Sequence, residues 1–412
     1  MPILTASTPT PLPDDTKEIE ASSTKLSNPQ RMTVKTLRVT EYRSCLETEV
    51  DLQPDLSILI GPNGSGKTTI LNALVLLRSM AIHDSHADAA VAANTSKLKA
   101  VFSGGSKSCN LLADIQLNTN SNNRDVIVSS QQKWYSKSVT GTSKQYIFPL
   151  WIMRHSTDGV NQYLRYFSGK RKTPYGAVDL LPKALELLLE NIYCLLRDLK
   201  YYSASQFTNP SLCPASFEVE TSGTRTRAIN LRGHSQFLYD LYSARNSTVY
   251  EEFLNVVGPR GIGLIDELNF TELTASSIQY TVKSGGEVQP RKRDKIIVVP
   301  QFVVGRNKLS PSQLSEGTFK TITLLFYVIT DRSSVLLIEE PEVCVHHGLL
   351  TSIVELIKLY SKQKQIIIST HSDFILDYVE PRHVYMVKRG EKGTVVGCCN
   401  PGASFRWCGG RF

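Results

Sequence analysis

One segment of the sequence has the residue types and the spacing to cradle phosphate groups. Residues 61–69 read GPNGSGKTT and contain the pattern GxxxxGK[ST]. Glycines let backbone N–H groups point towards phosphate oxygens, and a helix that begins at the lysine adds the positive end of its dipole. Lys67 supplies a point charge for the β- and γ-phosphates, and the Thr68 hydroxyl can reach Mg²⁺. The candidate nucleotide-binding residues here are Gly61, Pro62, Asn63, Gly64, Ser65, Gly66, Lys67, Thr68 and Thr69.

A serine and a glycine stand before a predicted helix in the C-terminal part of the chain. Residues 314–318 read LSEGT, where Ser315 is a favoured N-cap residue type and Gly317 permits close backbone approach. Such a segment can offer a hydroxyl, backbone N–H groups and a helix dipole to a phosphate. Taken alone, the same residues also describe an ordinary helix start.

Two apolar runs further along the chain end in titratable side chains. The first, SVLLIEEPE, carries Glu339 and Glu340, and the second, IIISTHS, carries His371. Short apolar runs predict buried parallel strands, whose carboxyl ends meet at one edge of a sheet. One acid can hold the Mg²⁺ shell, the next can orient or deprotonate the attacking water, and the histidine would lie near a γ-phosphate. Taken singly, a solvated acidic turn and a structural histidine are the alternatives.

Hydrophobic periodicity predicts the elements that position these residues. Predicted strands cover residues 34–39, 46–52, 56–60, 111–117, 125–129, 145–149, 278–283, 296–304, 335–338 and 365–369. Predicted helices follow Lys67 and cover residues 182–199, 237–257, 317–330, 349–361 and 373–378, while residues 81–97 fit helix or loop.

Composition limits the class of protein. The chain has 412 residues, of which 41% are hydrophobic and 20% are charged, so a packed core is expected and bulk disorder is excluded. The net charge of +8 is compatible with a polyanionic partner but is too small to predict one. No apolar run approaches the length of a membrane span and no signal peptide is recognised, so we expect a cytoplasmic protein without a membrane partner.

The order of the four motifs carries a resemblance to a known family. GPNGSGKTT, LSEGT, LLIEEPE and IIISTHS resemble the ABC-class ATPase head, and within it the RecF/OLD-like group of AAA_21 type. The opening KTLRVTEYRSCLETEVDLQPDLSILIGPNGSGKTT also resembles that group. The resemblance covers about residues 32–80 and 296–390. It implies an α/β P-loop NTPase fold with a mixed central sheet, flanking helices, an antiparallel β subdomain and an inserted, mainly helical region.

The same resemblance implies how the site works. Two heads would dimerise head-to-tail and enclose two ATP molecules with Mg²⁺. Lys67 and Thr68 of one head would bind the phosphates and the metal, while Ser315 and Gly317 of the other head would cover the γ-phosphate. The chain would thus form a homo-oligomer through ATP.

The resemblance also implies roles for four single residues. Glu339 corresponds to the metal-side acid, Glu340 to the general base and His371 to the switch histidine. Arg43 lies where such heads often contact the base or the phosphates.

Some positions depart from the family pattern. Glu339 stands where Asp is commoner, and its extra methylene shifts the carboxylate. His346 and His347 stand where the group often has His-Pro. Three residues are open candidates for the Q-loop glutamine: Gln116, Gln131 and Gln132.

The predicted domain divisions follow from the motifs. They are a disordered tail (1–30), an ATPase N-lobe (31–150), an inserted region (151–295), an ATPase C-lobe (296–395) and a C-terminal tail (396–412). The insertion has no sustained heptad pattern, which argues against a long coiled-coil arm. The segment after His371 is too short for a TOPRIM nuclease domain, and no Cys/His metal cluster is recognised.

An ATPase head in which no nuclease domain is recognised suggests a separate effector. Such chains resemble the stand-alone ATPase subunits of two-gene antiphage systems, PtuA of Septu and AriA of PARIS, which act with a nuclease or toxin partner. One alternative is a RecF-like repair ATPase that acts on DNA directly, through the cationic runs at 164–172 and 291–295. Residues 151–300 carry a net charge of only +3, which favours solvated loops instead. A less favoured alternative is the nucleotide-binding subunit of a transporter.

Overall fold

The structure of the chain is a computed structural model. It describes residues 31–82, 94–104, 109–119, 127–137, 143–147, 150, 183–203, 207, 209–222, 225–228, 233–282, 288–343, 345, 347–391 and 393–398. Several features predicted from sequence lie outside these residues: the tail 1–30, the cationic run 164–172, His346 and residues 399–412.

Seventeen strands and six α-helices form within the described residues. The strands are β1 (Thr33–Tyr42), β2 (Cys45–Asp51), β3 (Leu56–Ile60), β4 (Asn94–Gly104), β5 (Cys109–Thr119), β6 (Ile127–Lys137), β7 (Ser143–Ile147), β8 (Lys200–Ser203), β9 (Phe217–Ser222), β10 (Arg225–Ala228), β11 (Glu267–Val282), β12 (Val288–Val304), β13 (Asn307–Leu309), β14 (Val335–Glu339), β15 (Gln365–Thr370), β16 (Val384–Gly390) and β17 (Gly393–Cys398). The helices are α1 (Lys67–Ile82), α2 (Lys183–Arg197), α3 (His234–Ala244), α4 (Thr248–Val257), α5 (Glu316–Thr330) and α6 (His347–Ser361). No helix among the described residues has both the length and the apolarity that a membrane crossing requires.

The central sheet has the strand order β17-β16-β3-β15-β14-β8. Strands β16, β3, β15, β14 and β8 run parallel, and β17 closes one edge in the antiparallel sense. Every residue of β3 and β15 is buried, because helices and a second sheet cover both faces. The carboxyl ends of β3, β15 and β14 therefore meet at one edge, as the motif order predicts. The predicted mixed sheet with flanking helices is confirmed.

A second, antiparallel sheet has the order β2-β1-β4-β5-β6-β7. One buried cluster fills the space between this sheet, α1, α2 and one face of the central sheet. The other face packs under α3, α4, α5 and α6. Strand β4 begins within residues 81–97, which fit helix or loop on sequence alone. Its buried side chains, Leu98, Ala100 and Phe102, alternate with a period of two, which is the strand pattern.

The described part of the insertion contains as much strand as helix. Strands β11 and β12 pair from Glu267–Val303 to Val282–Val288, far beyond the predicted 278–283 and 296–304. Much of this hairpin is polar, so hydrophobic alternation predicts only those two segments of it. The predicted helix 237–257 divides into α3 and α4, because the Ser247 side chain accepts a hydrogen bond from Tyr250 N–H at 3.2 Å and caps a new helix. Residues 373–378 form 3-10 helix instead of α-helix.

A buried glutamine joins the central sheet to the antiparallel sheet. Gln365 opens β15, and its Oε1 accepts from Val34 N–H at 3.0 Å. Its Nε2 donates to the carbonyls of Val34 at 2.9 Å and Gln53 at 2.8 Å. The pairing of β1 with β4 shifts register between Val34 and Thr36, next to this contact. The side-chain amide of Gln365 thus pairs with backbone groups as a neighbouring strand would, and links the two sheets.

Replacing this glutamine tests the link. Gln365→Leu keeps the volume but leaves buried backbone groups of Val34 without partners, each of which costs about 1–3 kcal/mol. We expect the free energy of unfolding in urea to fall by about 2–4 kcal/mol. Gln363→Leu, in the exposed turn two residues earlier, is the matched control and should change stability by less than about 0.5 kcal/mol. Equal losses for the two variants would contradict the assigned role.

Candidate nucleotide-binding site

The phosphate loop lies between β3 and α1, as its sequence predicts. The loop closes on itself through a hydrogen bond from Ser65 N–H to the Pro62 carbonyl at 3.2 Å. Lys67 Nζ donates to the carbonyls of Gly61 at 2.7 Å and Pro62 at 3.0 Å, and the residue is only 4% exposed. The ammonium group is therefore held inside the curve of the loop, where a phosphate would lie.

Opposite charges surround this lysine. Burial lowers the pKa of Lys67, whereas Coulombic attraction from Glu340, Glu342 and Glu339 raises it. The three carboxylates come from the end of β14 and the residues after it. The cation and the acids thus face one another across the edge of the central sheet.

Glycine is required at two loop positions because atoms of β16 and β17 approach closely. Gly66 has a φ of +108°, and a Cβ there would lie 2.0 Å from Oγ1 of Thr394. A Cβ on Gly61 would lie 2.1 Å from the Val387 carbonyl oxygen. Thr394 Oγ1 donates to the Ser65 carbonyl at 2.9 Å. The hairpin of β16 and β17 therefore braces the loop from beneath.

The other predicted loop residues occupy different environments. Pro62, Asn63 and Gly64 are exposed at the outer side of the loop. Thr69 is buried in the first turn of α1, and its hydroxyl accepts a hydrogen bond from Ser44 Oγ at 3.0 Å. Thr69 thus supports the loop from behind.

The predicted metal-side pair is in contact. Thr68 Oγ1 donates to Glu339 Oε1 at 2.5 Å. The second oxygen of that carboxylate, Oε2, accepts from the hydroxyl of Tyr201 on β8. Burial and the hydrogen bond to Glu339 raise the pKa of Tyr201, so its hydroxyl stays a donor. Sequence reasoning did not find Tyr201, because β8 is a four-residue strand outside every motif.

The predicted base and switch histidine lie beside a third acid. Glu340 has a φ of +48°, and its N–H donates to the Ser369 carbonyl at 2.8 Å. His371 Nδ1 lies 3.8 Å from Glu340 Oε1 and 3.1 Å from Glu342 Oε1. Glu342 Oε1 also accepts from Thr370 Oγ1 at 2.7 Å and from His371 N–H at 2.9 Å. Glu342, with a side chain only 8% exposed, thus fixes the orientation of the histidine segment.

The predicted signature residues stand apart from this cluster. Ser315 caps α5: its Oγ accepts from Thr318 N–H at 3.2 Å and donates to Thr318 Oγ1 at 2.8 Å. The Gly317 carbonyl accepts from Thr321 Oγ1 at 2.8 Å. Within the described residues, neither Ser315 nor Gly317 hydrogen-bonds to the phosphate loop. Ser315 is exposed at the start of its helix.

The remaining candidates differ in placement. Arg43 occupies the turn between β1 and β2 with a φ of +49°, its guanidinium lies over the Tyr42 ring, and its charge acts on Tyr201. Gln132 is buried, and its Oε1 accepts a hydrogen bond from Leu150 N–H at 2.8 Å, so its side chain satisfies a backbone donor. Gln116 is exposed on β5, and the side chain of Gln131 lies outside the described atoms.

The residues present fit Mg²⁺ and phosphate. The Thr68 hydroxyl and the Glu339 carboxylate are adjoining hard oxygen donors, which Mg²⁺ prefers. Three buried atoms at this edge have no hydrogen-bond partner among the described residues: Oγ of Ser65, Oγ of Ser369 and Oε2 of Glu342. Ser369 is the register partner of Glu339 on the neighbouring strand. Polar atoms of this kind are what a bound ion or phosphate with its water would satisfy.

The strand topology and the phosphate loop are those of a P-loop ATPase head. Two family models match separate parts of the chain. Residues 232–377 match AAA_21, described as "AAA domain, putative AbiEii toxin, Type IV TA system", and residues 32–157 match AAA_15, described as "AAA ATPase domain". Neither match covers half of the chain, but between them they include every site residue predicted from sequence.

A curated relative is similar over a short segment. The DNA replication and repair protein RecF of Corynebacterium jeikeium (strain K411) is 43% identical over 60 residues, which are 15% of this chain and 14% of that protein. The chain therefore matches only a small part of that relative's length.

Solved structures of SMC heads resemble the chain overall. They include an SmcHead bound to the C-winged helix domain of ScpA (TM-score 0.43, 11% identity, 90% of this chain and 98% of that chain). Others are the SMC head domain from Thermotoga maritima (0.37, 10%, 89% and 99%) and the Pyrococcus furiosus Smc head with an extended coiled coil, bound to the C-terminal domain of ScpA (0.41, 11%, 89% and 96%).

Proposed function

We propose that the chain binds ATP with Mg²⁺ and hydrolyses it at this edge of the central sheet. The observation that carries the proposal is the convergence of a buried lysine, a hydroxyl, two acids and a histidine from α1 and from the ends of two parallel strands, β14 and β15. These residues are Lys67, Thr68, Glu339, Glu340 and His371.

Each side chain has a role that suits its surroundings. Lys67 would neutralise phosphate charge from inside the loop, and Thr68 with Glu339 would hold the metal. When bound, Mg²⁺ supplies charge neutralisation for the β- and γ-phosphates. Glu340 is partly exposed and positioned to accept the proton of the attacking water. Glu342, in the segment after β14, orients His371. In this proposal His371 contacts the transferred phosphoryl group.

The signature residues support a head-to-tail dimer. Ser315 and Gly317 lie at an exposed helix N-terminus, where the backbone N–H groups and the dipole favour an anion. Since they make no hydrogen bond to their own phosphate loop within the described residues, a second copy would supply the phosphate that they cover. ATP would thus join two copies, each completing the site of the other.

Two serine caps allow a matched test of this dimer. Ser315 caps α5 and Ser247 caps α4, each accepting an N–H at 3.2 Å. Either serine-to-alanine change should cost about 1 kcal/mol of stability. Only Ser315→Ala should also weaken the ATP-dependent dimer, by about tenfold or more, because a hydrogen bond to a charged group is worth about 1.5–3 kcal/mol.

The dimer is measured by light scattering at several protein concentrations in the presence of ATP. The Ser247→Ala variant shows what loss of a cap alone does to the association. If both variants dimerised equally well with ATP, the signature role of Ser315 would be wrong.

For the cellular role, we propose an ATP-driven sensor or scaffold that holds a separate effector, a nuclease or a toxin, in antiphage defence. The similarity to AAA_21, a family described by the words "putative AbiEii toxin, Type IV TA system", favours this role. Glu340→Gln protein with ATP, used as bait in its native host, tests it. Co-purification of a nuclease or toxin-like protein is the expected result, and nucleic acid without a protein partner would contradict it.

A second candidate is direct action on DNA, favoured by the 60-residue match to RecF. In that case, double-stranded DNA should stimulate ATP hydrolysis by the purified chain without any other protein. Stimulation that falls as salt concentration rises would support contact with the phosphate backbone. An unchanged rate across DNA lengths and salt concentrations would eliminate this candidate.

A further inference from the structure

A tyrosine outside every sequence motif contacts the predicted metal-side acid. Tyr201 lies on β8, the strand beside β14, and its register partner there is Leu337. Successive side chains of a strand point to opposite faces, so Leu337 and Glu339 share a face and Tyr201 is diagonal to the carboxylate. The tyrosine hydroxyl donates to Glu339 Oε2.

The two oxygens of Glu339 are thereby held by different donors. Oε1 accepts from Thr68 Oγ1 at 2.5 Å, and Oε2 accepts from Tyr201. A carboxylate with only the first contact could turn about its last torsion angle, because that torsion is broad. With both contacts, one oxygen is directed at Thr68. Hydrogen bonds to an ionised carboxylate are about twice as strong as neutral ones, so the orientation is well defined.

The contact also explains why Glu can stand where Asp is commoner. The extra methylene of Glu339 carries its carboxylate further from the backbone of β14. The Tyr201 hydroxyl on the neighbouring strand donates to the carboxylate at this greater distance from the backbone. The shorter side chain of Asp would place the carboxylate too far from that hydroxyl.

We propose that Tyr201 is a positioning residue for the divalent cation, acting through Glu339. It fixes the carboxylate so that Glu339 and Thr68 present oxygens to one Mg²⁺ ion. The inference rests on the proposed function, since it requires that the chain bind ATP with Mg²⁺. Its consequence is a defined metal affinity, because residues that orient metal ligands typically change that affinity by about 10–100-fold.

Tyr201→Phe tests the proposal, with full-length protein freed of nucleotide and a fluorescent ATP analogue as the probe. Fluorescence is followed as MgCl₂ is added at fixed analogue concentration, and again in EDTA. We expect the MgCl₂ concentration at the midpoint to rise by about 10–100-fold. Affinity for the analogue in EDTA should stay as in the wild type, because Tyr201 makes no hydrogen bond to the phosphate loop within the described residues.

The neighbouring tyrosine supplies the control. Tyr202 lies on the same strand, faces the other side and donates to the Lys320 carbonyl at 3.2 Å. Tyr202→Phe also removes one buried hydroxyl, so it reports any loss of stability, but its MgCl₂ midpoint should match that of the wild type.

A double variant shows whether Tyr201 acts through Glu339. In a Glu339→Asp background the carboxylate no longer reaches Tyr201, so Tyr201→Phe should then change the midpoint by less than about twofold. Full additivity of the two changes would overturn the proposal, as would an unchanged midpoint in Tyr201→Phe alone. A wild type without Mg²⁺-dependent analogue binding would overturn the proposed function and this inference together.

Discussion

Glu340→Gln is expected to lower the rate of ATP hydrolysis by about 10²–10⁴-fold, the usual contribution of a general base, while ATP is still bound. The amide has the shape of the carboxylate but cannot accept the proton of the attacking water. The left-handed φ of +48° at Glu340 supports a functional role, because a non-glycine residue there costs of order 1–3 kcal/mol and is kept where the geometry is needed. The hydrogen bond from the Glu340 N–H to the Ser369 carbonyl holds that conformation.

Phosphate release and binding of a fluorescent ATP analogue are measured in parallel. Glu355→Gln is the control, because Glu355 lies exposed on α6 in a surface ion pair with Lys358. It should leave both quantities unchanged. A turnover within threefold of the wild type would show that another group accepts the proton.

Lys67→Ala is expected to weaken ATP binding by about 10–150-fold, since a hydrogen bond between charged groups is worth about 1.5–3 kcal/mol. Lys67 is held inside the loop by the Gly61 and Pro62 carbonyls, so the charge is positioned before the phosphates arrive. Lys67→Arg should not restore binding, because the planar guanidinium does not fit a space that leaves the lysine only 4% exposed.

Analogue titrations with and without Mg²⁺ give the affinities. Lys362→Ala, in the exposed turn after α6, removes one positive charge far from the loop and should bind as the wild type does. If Lys67→Ala bound the analogue within twofold of the wild type, the phosphate site would have to lie elsewhere.

The elements that carry the site could be predicted because they are local in sequence. The runs LSILI and VLLIE are continuous and apolar, which is the pattern of parallel strands covered on both faces. Each run ends in the polar residues that the sheet then brings to one edge. The phosphate loop has its glycines at the two positions where Thr394 and Val387 approach the backbone.

The contacts that orient the site could not be predicted because they join distant residues. Tyr201 reaches Glu339 only because β8, a short polar strand, pairs with β14. Glu342 is visible in EEPE, but its hold on His371 depends on the neighbouring strand. The hairpin of β11 and β12 is likewise polar along much of its length, so hydrophobic alternation does not predict its full extent.

The brace beneath the phosphate loop also has a consequence for synthesis on the ribosome. Thr394 follows Ser65, whose carbonyl it binds, by 329 positions. At about 5–20 residues per second, the ribosome takes roughly 16–66 s to pass from one to the other. Throughout that time the nascent chain carries a nucleotide loop without its support. We therefore expect the proposed capacity to bind ATP to be acquired late in translation, after Thr394 has been made.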